Sequence, residues 1–447
     1  MNPAGFFQFV ILSVLTTGIV LLVVINLQAL ELQRMNIVKT TSTINRFISE
    51  RNTQNSFIAT EQSVQVNKEE VREVLNPPFE CENKKLVRWL EQRGQFYVYY
   101  NYVIAEKQFL CHESVTYTTQ ADFTFLDNLV TLTEAWKGPI SVTLYAPGDD
   151  FQRTLKSIAY LRNCETPLIR EFVTFHLFFE KIFIPKKLKI PLNNADEIYE
   201  DDYDCSTVPP FKQIRHEEIF KTLNNLTYPI NVARNSARLA SQTYYVFASD
   251  IELIPPLNFI PKFLDLVQRE QEILANIPRK IFVLPIFEVL ETAKVPKSKT
   301  ELLRMLKNST AFLFHEKLCR RCHEVQNYTE WLNTPESNLL NVLAIGTRTN
   351  AYKSLEAFYV GTNDEPQFDE RLTWEGQKNK MTQAYAMCLL DYQYLILDNA
   401  FLVHKPGIKK EKVQMSIFSP LVHDTYLLVK HFIVSELRAL YGKRAGC

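Results

Sequence analysis
The chain has little glycine, no net charge, no cysteine before residue 81 and no charged side chain in its first 30 residues. Only 11 glycines in 447 residues, against 46% hydrophobic content, exclude a low-complexity or disordered polymer. The chain can bury one large core or two smaller ones. Fifty basic and fifty acidic residues cancel, which excludes the global field expected of a nucleic-acid binder, so an anionic ligand must be met locally. Without charge in Met1–Leu30, the 22 residues Phe6–Leu27 form a predominantly apolar run. As a helix it spans roughly 33 Å, enough for a bilayer core. A cleaved signal peptide has a shorter apolar region of ~7–15 residues and a positive start, so the expectation is an uncleaved anchor.

Arg34, Lys39 and Arg46 follow that run, and by the positive-inside rule they would place the C-terminus in the cytosol. Sequons at Asn225, Asn308 and Asn327 and eight cysteines, all beyond residue 80, argue for the secretory lumen instead. The expected layout is a cytoplasmic tail (1–5), a transmembrane signal-anchor (6–27), a polar stem (28–77) and a lumenal domain (78–447) of a type II membrane protein.

Within that domain, strand-like and helix-like segments alternate. Strands are expected at 96–103, 114–120, 138–145 and 172–179, with helices at 123–135 and 151–163, which implies βαβ units and a mainly parallel sheet. Ligands of such sheets bind at the carboxyl ends of the strands. One end is Thr118-Thr119-Gln120. Another is Asp250-Ile251-Glu252, after the apolar strand from Tyr244 and before Pro255-Pro256. If the strand persists, both acids face one way, as two oxygen donors to one hard divalent cation would; the plainer reading is a strand ending in solvated acids. Arg234 and Arg238 share a helical face and make either a phosphate clamp or two solvated arginines. Glu288, in the apolar run 280–289, is a sugar-hydroxyl ligand or a strand end. His404 closes a strand as a third metal ligand or a structural residue, with Lys405 beside it as a phosphate contact. Cys319-Arg320-Arg321-Cys322 lacks the second ligand pair of a zinc site and the setting of a redox motif, so structural disulfides are expected.

From about residue 110 onward these segments resemble glycosyltransferase family 49. The resemblance rests on Trp136-Lys137-Gly138-Pro139, Tyr228-Pro229-Ile230-Asn231 with Arg234-Asn235, Asp250-Ile251-Glu252, Leu284-Pro285-Ile286-Phe287-Glu288, Cys319-Arg320-Arg321-Cys322, Phe368-Asp369-Glu370-Arg371 and Phe401-Leu402-Val403-His404-Lys405. It implies a GT-A fold, with a Rossmann-like sheet, that binds a UDP-sugar donor. It further implies Mn2+ held by Asp250, Glu252 and His404, with donor contacts from Thr118, Gln120, Arg234 and Lys405. The implied reaction transfers glucuronic acid from UDP-glucuronic acid, with inversion, to a xylose-terminated O-mannosyl-type glycan in the Golgi; a further reading is a lumenal scaffold for partner glycosyltransferases. Inversion needs a base, for which Asp369, Glu370 and Glu288 are the candidates. Glu252 stands where the family usually has Asp, and Ala357 where Pro is expected. The alternatives are transfer of another UDP-sugar, such as N-acetylglucosamine or xylose, and a membrane-tethered glycan-binding pseudoenzyme.

Overall fold
Runs of β-branched and aromatic residues make central strands where both faces find cover. The computed structural model describes residues 79–186, 188, 204–212, 215–374, 378–404 and 420–447, all within the unit Leu75–Cys447. The expected tail, anchor and stem lie outside the described residues. Among the described residues no helix is long and apolar enough to cross a membrane. The strands are β1 (Trp89–Arg93), β2 (Phe96–Val103), β3 (Val115–Asp122), β4 (Ile140–Tyr145), β5 (Val173–Glu180), β6 (Tyr245–Ala248), β7 (Leu253–Ile254), β8 (Lys280–Leu284), β9 (Ile286–Val289), β10 (Ala311–Leu313), β11 (Val342–Gly346), β12 (Phe358–Gly361), β13 (Gln393–Leu397) and β14 (Leu402–His404).

They form a large sheet in the order β1-β2-β5-β4-β3-β6-β12-β8-β13-β11 and a small one, β10-β9-β14-β7. The block β5-β4-β3-β6 is parallel, with Thr118 of β3 opposite Ser141 and Ala248. The expectation of a mainly parallel sheet is corrected, because β12 runs antiparallel to both β6 and β8, and β1, β2 and β11 pair antiparallel. β12 enters between β6 and β8 in the opposite direction, and its antiparallel ladders give both neighbours perpendicular hydrogen bonds. The expected strand 280–289 breaks at Pro285, which has no N–H for a ladder. Its carbonyl accepts from Leu402 N (2.8 Å), and the chain passes from the large sheet into the small one.

Every residue of β3 is buried, and the alternation of faces sorts the core. Leu144 and Leu177 point to the side covered by α1 (Asn128–Trp136) and α2 (Asp150–Cys164), while Tyr145 and Phe178 point to α3 (Ile230–Leu239). On the first face Trp136 stacks on Phe259 of α4 (Phe259–Arg269), with ring centroids 5.7 Å apart. On the second a buried polar relay ties three strands to α3. His176 Nδ1 accepts from Asn101 N (2.7 Å), its Nε2 meets Ser141 Oγ (2.8 Å), and Ser141 Oγ donates to Ala237 O (2.7 Å). Burial lowers the His176 pKa to about 3, so the ring stays neutral with its proton on Nε2. Ser141→Ala leaves that N–H and the Ala237 carbonyl without this partner, and a loss of about 1–3 kcal/mol is expected in chemical denaturation.

All eight cysteines are paired, as Cys81–Cys111, Cys164–Cys205, Cys319–Cys322 and Cys388–Cys447. The turn between β4 and α2 needs Gly148, whose φ is +50° and where a Cβ would meet the Phe220 ring at 2.6 Å. The Asp150 carboxylate then accepts from Phe220 N (2.9 Å) and Lys221 N (3.0 Å). That contact brings Lys221 to the carboxyl end of β3, where its Nζ lies 2.6 Å from Asp122 Oδ2.

Candidate active site
At the carboxyl edge of the parallel block lies a cleft of about 340 Å3. Its floor includes the turn between β6 and β7. Asp250 and Glu252 sit in this turn and not on a continued strand, so strand alternation does not orient them. The turn is closed by Leu253 N donating to Asp250 O (3.0 Å). Buried Tyr117 pins it from below, its hydroxyl donating toward Asp250 O (2.9 Å) and Leu253 O (2.8 Å).

Three segments converge on the Asp250 carboxylate. Oδ1 accepts from Gln120 Nε2 (2.8 Å) and Arg234 Nη2 (3.0 Å), and Oδ2 from Lys380 Nζ (3.2 Å). Burial alone would push the Asp250 carboxyl up, but Lys380 and then Arg234 outweigh it and hold the group below the usual carboxylate range. Burial pushes the Lys380 ammonium down despite Asp250. A carboxylate has about four acceptor sites, so Asp250 retains capacity at Oδ2.

Glu252 Oε2 lies 3.8 Å from His404 Nε2. His404 ends β14, opposite Leu253 on one side and Glu288 on the other. Its ring is buried and its Nδ1 has no hydrogen-bond partner among the described residues, the unsatisfied state that a ligand relieves. Two carboxylates and an imidazole suit a hard or borderline divalent cation. As placed, they do not bring one donor atom each within 4.8 Å; the one trio among the described residues that does is Cys81, Cys111 and His112, whose sulfurs are joined in a disulfide.

The other expected site residues divide. Gln120 and Arg234 line the cleft, but through Asp250. Thr118 is buried in β3, its hydroxyl on Phe247 O (3.4 Å) and away from the cleft. Lys405 lies outside the described residues. Arg238 makes neither a clamp nor a solvated face: it is buried and points to the carbonyls of Thr362, Glu365 and Pro366. Asn225, Asn308 and Asn327 are exposed, and Asn327 Nδ2 donates to Glu330 Oε2 (2.7 Å).

None of the three expected bases lines the cleft. Glu288 is buried in β9. Asp369 pairs with Arg371 (2.7 Å), which also holds Glu436 of α7 (Val434–Tyr441). Glu370 accepts from Arg93 Nε (2.7 Å) and Asn235 Nδ2 (2.7 Å). Glu370 latches the loop 368–371 onto α3, which also grips it through Asn235 to Phe368 O (2.8 Å) and Asn231 to Asp369 O (2.8 Å), while Asp369 ties the loop through Arg371 toward α7. Asn231 and Asn235 of α3 are committed to that loop. Glu370→Gln is expected to keep kcat within about 3-fold while lowering stability by about 1 kcal/mol, read by steady-state rates and thermal melts.

Sequence reasoning assigned no role to Lys380, the Asp122–Lys221 pair or His323, and placed Glu356 only in a segment facing the acceptor; all of them line the cleft. Burial, then Lys380 and His315, hold His323 well below the usual imidazole range and therefore neutral. A signal for Lys380 existed: it is the N-cap of α6 (Met381–Leu389), where a cation opposes the helix dipole unless an anion holds it.

A family described as "Glycosyl-transferase for dystroglycan" matches residues 114–442. The chain is 29% identical over 287 residues to Beta-1,4-glucuronyltransferase 1 of Danio rerio, covering 63% of each chain. It is 26% identical over 325 residues to the Mus musculus protein of that name, covering 72% of this chain and 74% of the relative. To Xylosyl- and glucuronyltransferase LARGE1 of Gallus gallus it is 25% identical over 351 residues, 76% of this chain but 37% of that protein. The match thus spans just under two thirds of the first relative and about a third of the last. The chain is a mixed α/β glycosyltransferase and belongs to the family of glycosyl-transferases for dystroglycan.

Proposed function
We propose that this chain is a Mn2+-dependent inverting transferase of GT-A type, moving glucuronic acid from UDP-glucuronic acid to a xylose-terminated glycan of the O-mannosyl kind. It would do so as a type II protein facing the Golgi lumen. The observation that carries the reading is the Asp250 carboxylate, held between Arg234 and Lys380 at the carboxyl edge of the parallel block. Acid and cations together match a metal-bound diphosphate better than either would alone. The relatives named glucuronyltransferases supply the donor sugar.

Asp250, Glu252 and His404 would hold the cation, which supplies charge neutralisation at the departing diphosphate. Arg234 and Lys380 position Asp250 and present cationic charge to the same phosphates. Tyr117 keeps the turn rigid, and the Asp122–Lys221 pair fixes the neighbouring wall. A second donor, UDP-xylose, is favoured by the relatives named xylosyl- and glucuronyltransferases.

The test incubates the purified full-length chain in detergent with Mn2+, a β-xyloside and, in turn, UDP-glucuronic acid, UDP-xylose and UDP-N-acetylglucosamine. UDP release that depends on the acceptor and on UDP-glucuronic acid supports the reading. Turnover of another donor in its place rejects it, UDP binding with no turnover of any donor means that the donor or the acceptor is a different one, and no Mn2+-dependent UDP binding favours the glycan-binding pseudoenzyme.

A further inference from the structure
We propose that Glu356 is the general base of this transfer, the group that takes the proton from the acceptor hydroxyl; the inference rests on the functional reading above. A base must reach the reacting hydroxyl, so it must line the cleft. Among the described residues four carboxylates do so: Asp122, Asp250, Glu252 and Glu356. Three are committed. Asp122 Oδ1 accepts from Thr124 N (3.0 Å) and Oδ2 from Lys221 (2.6 Å). Asp250 holds three donors. Glu252 faces His404 within the proposed cation set. The Glu356 carboxylate, among the described residues, neither accepts a hydrogen bond nor lies at ion-pair distance from a cation.

Its backbone is nevertheless fixed. Glu356 N donates to Cys322 O (2.8 Å), at the end of the disulfide-closed helix α5 (Glu316–His323), and β12 begins two residues later. The side chain is half-buried and borders both the main cleft and a small hollow behind Asp250. Lys380 and Arg348 are near enough to interact with it electrostatically. The imidazole closest in role, His323, is buried with its protonated form disfavoured, which makes it a poor proton acceptor. A free carboxylate on a rigid backbone, in the cleft but outside the Asp250 cluster, is what an acceptor-side base requires.

The step balances. The acceptor oxygen forms the new bond to C1 of the sugar while the bond from C1 to the β-phosphate oxygen breaks. UDP departs with the electron pair, and the acceptor's proton goes to Glu356 and then to solvent.

The test uses the full-length chain with UDP-glucuronic acid, Mn2+ and a β-xyloside. Glu356→Gln is expected to lower kcat by about 10^2- to 10^4-fold, with UDP affinity by calorimetry within about 3-fold. Glu356→Ala with added formate, a small exogenous base, is expected to regain part of the rate, which a merely structural residue would not do. Wild-type transfer together with Glu356→Gln kcat within about 3-fold overturns the assignment and leaves the function standing. A loss seen instead in His315→Ala, with Glu356→Gln turning over normally, also overturns it. No glucuronate transfer by the wild type overturns the function and the base together.

Discussion

Asp250→Asn is expected to lower transfer by about 10^3-fold and to abolish the effect of Mn2+ on UDP binding. The substitution keeps the shape and one acceptor oxygen, so the turn fixed by Tyr117 survives. What disappears is the negative charge between Arg234 and Lys380, whose side chains are 6% and 17% exposed. Two buried cations then face each other without their anion, and a loss of about 2–4 kcal/mol in stability accompanies the loss of activity. The carboxyl lies below its ordinary range because Lys380 and Arg234 outweigh burial. A depressed acid contributes stability above its ordinary pKa of roughly 4 and loses it as pH falls further. Asp250 therefore does not titrate near neutrality, and UDP titrations with and without Mn2+ at neutral pH read the metal alone.

The second large effect is on the fold that holds the cleft together. Arg238 and Glu365 are buried with their charged groups 3.8 Å apart, and Arg238 reaches three loop carbonyls besides. Arg238→Leu leaves Glu365 buried without its cation and is expected to cost about 3–5 kcal/mol. Glu365→Gln in the same chain should recover part of that loss, since the remaining group no longer carries a charge. Glu365 also gives a pH signature. Burial raises its carboxyl to about 7, against the opposing pull of Arg238. A raised acid contributes stability that is full below its ordinary pKa of roughly 4.5 and is lost as pH rises through the folded value. Thermal melts of wild type minus Glu365→Gln should therefore show a difference that declines between about pH 5 and pH 7.

The sequence carried the local structure of the parallel block because strands buried on both faces read as continuous apolar runs. β3, β4 and β5 fall within two residues of expectation, and the cysteines are paired as disulfides. Gln120 near the end of β3, Arg234 on α3 and Asp250 in the turn after β6 share one contact network. Illegible was whatever depends on chain crossing. β12 and Pro285 redirect the sheet through pairings between distant segments, which no local period encodes. Asp369 and Glu370 read as free acids because their partners, Arg371 with Glu436 and Arg93 with Asn235, are set by the tertiary fold. Glu356 and Lys380 reach the cleft from segments more than 100 residues beyond Asp250, with only the helix-dipole conflict at Lys380 as a local clue.

The most direct measurement is the structure of the product. Full-length enzyme, UDP-glucuronic acid, Mn2+ and a β-xyloside are incubated together, and the purified disaccharide is examined by NMR for the identity and anomeric configuration of the added sugar. The account predicts a β-linked glucuronic acid, inverted from the α-linked donor and formed in step with the UDP released. An α-linked product, or a different sugar carried from a contaminating donor while UDP-glucuronic acid remains intact, would contradict it.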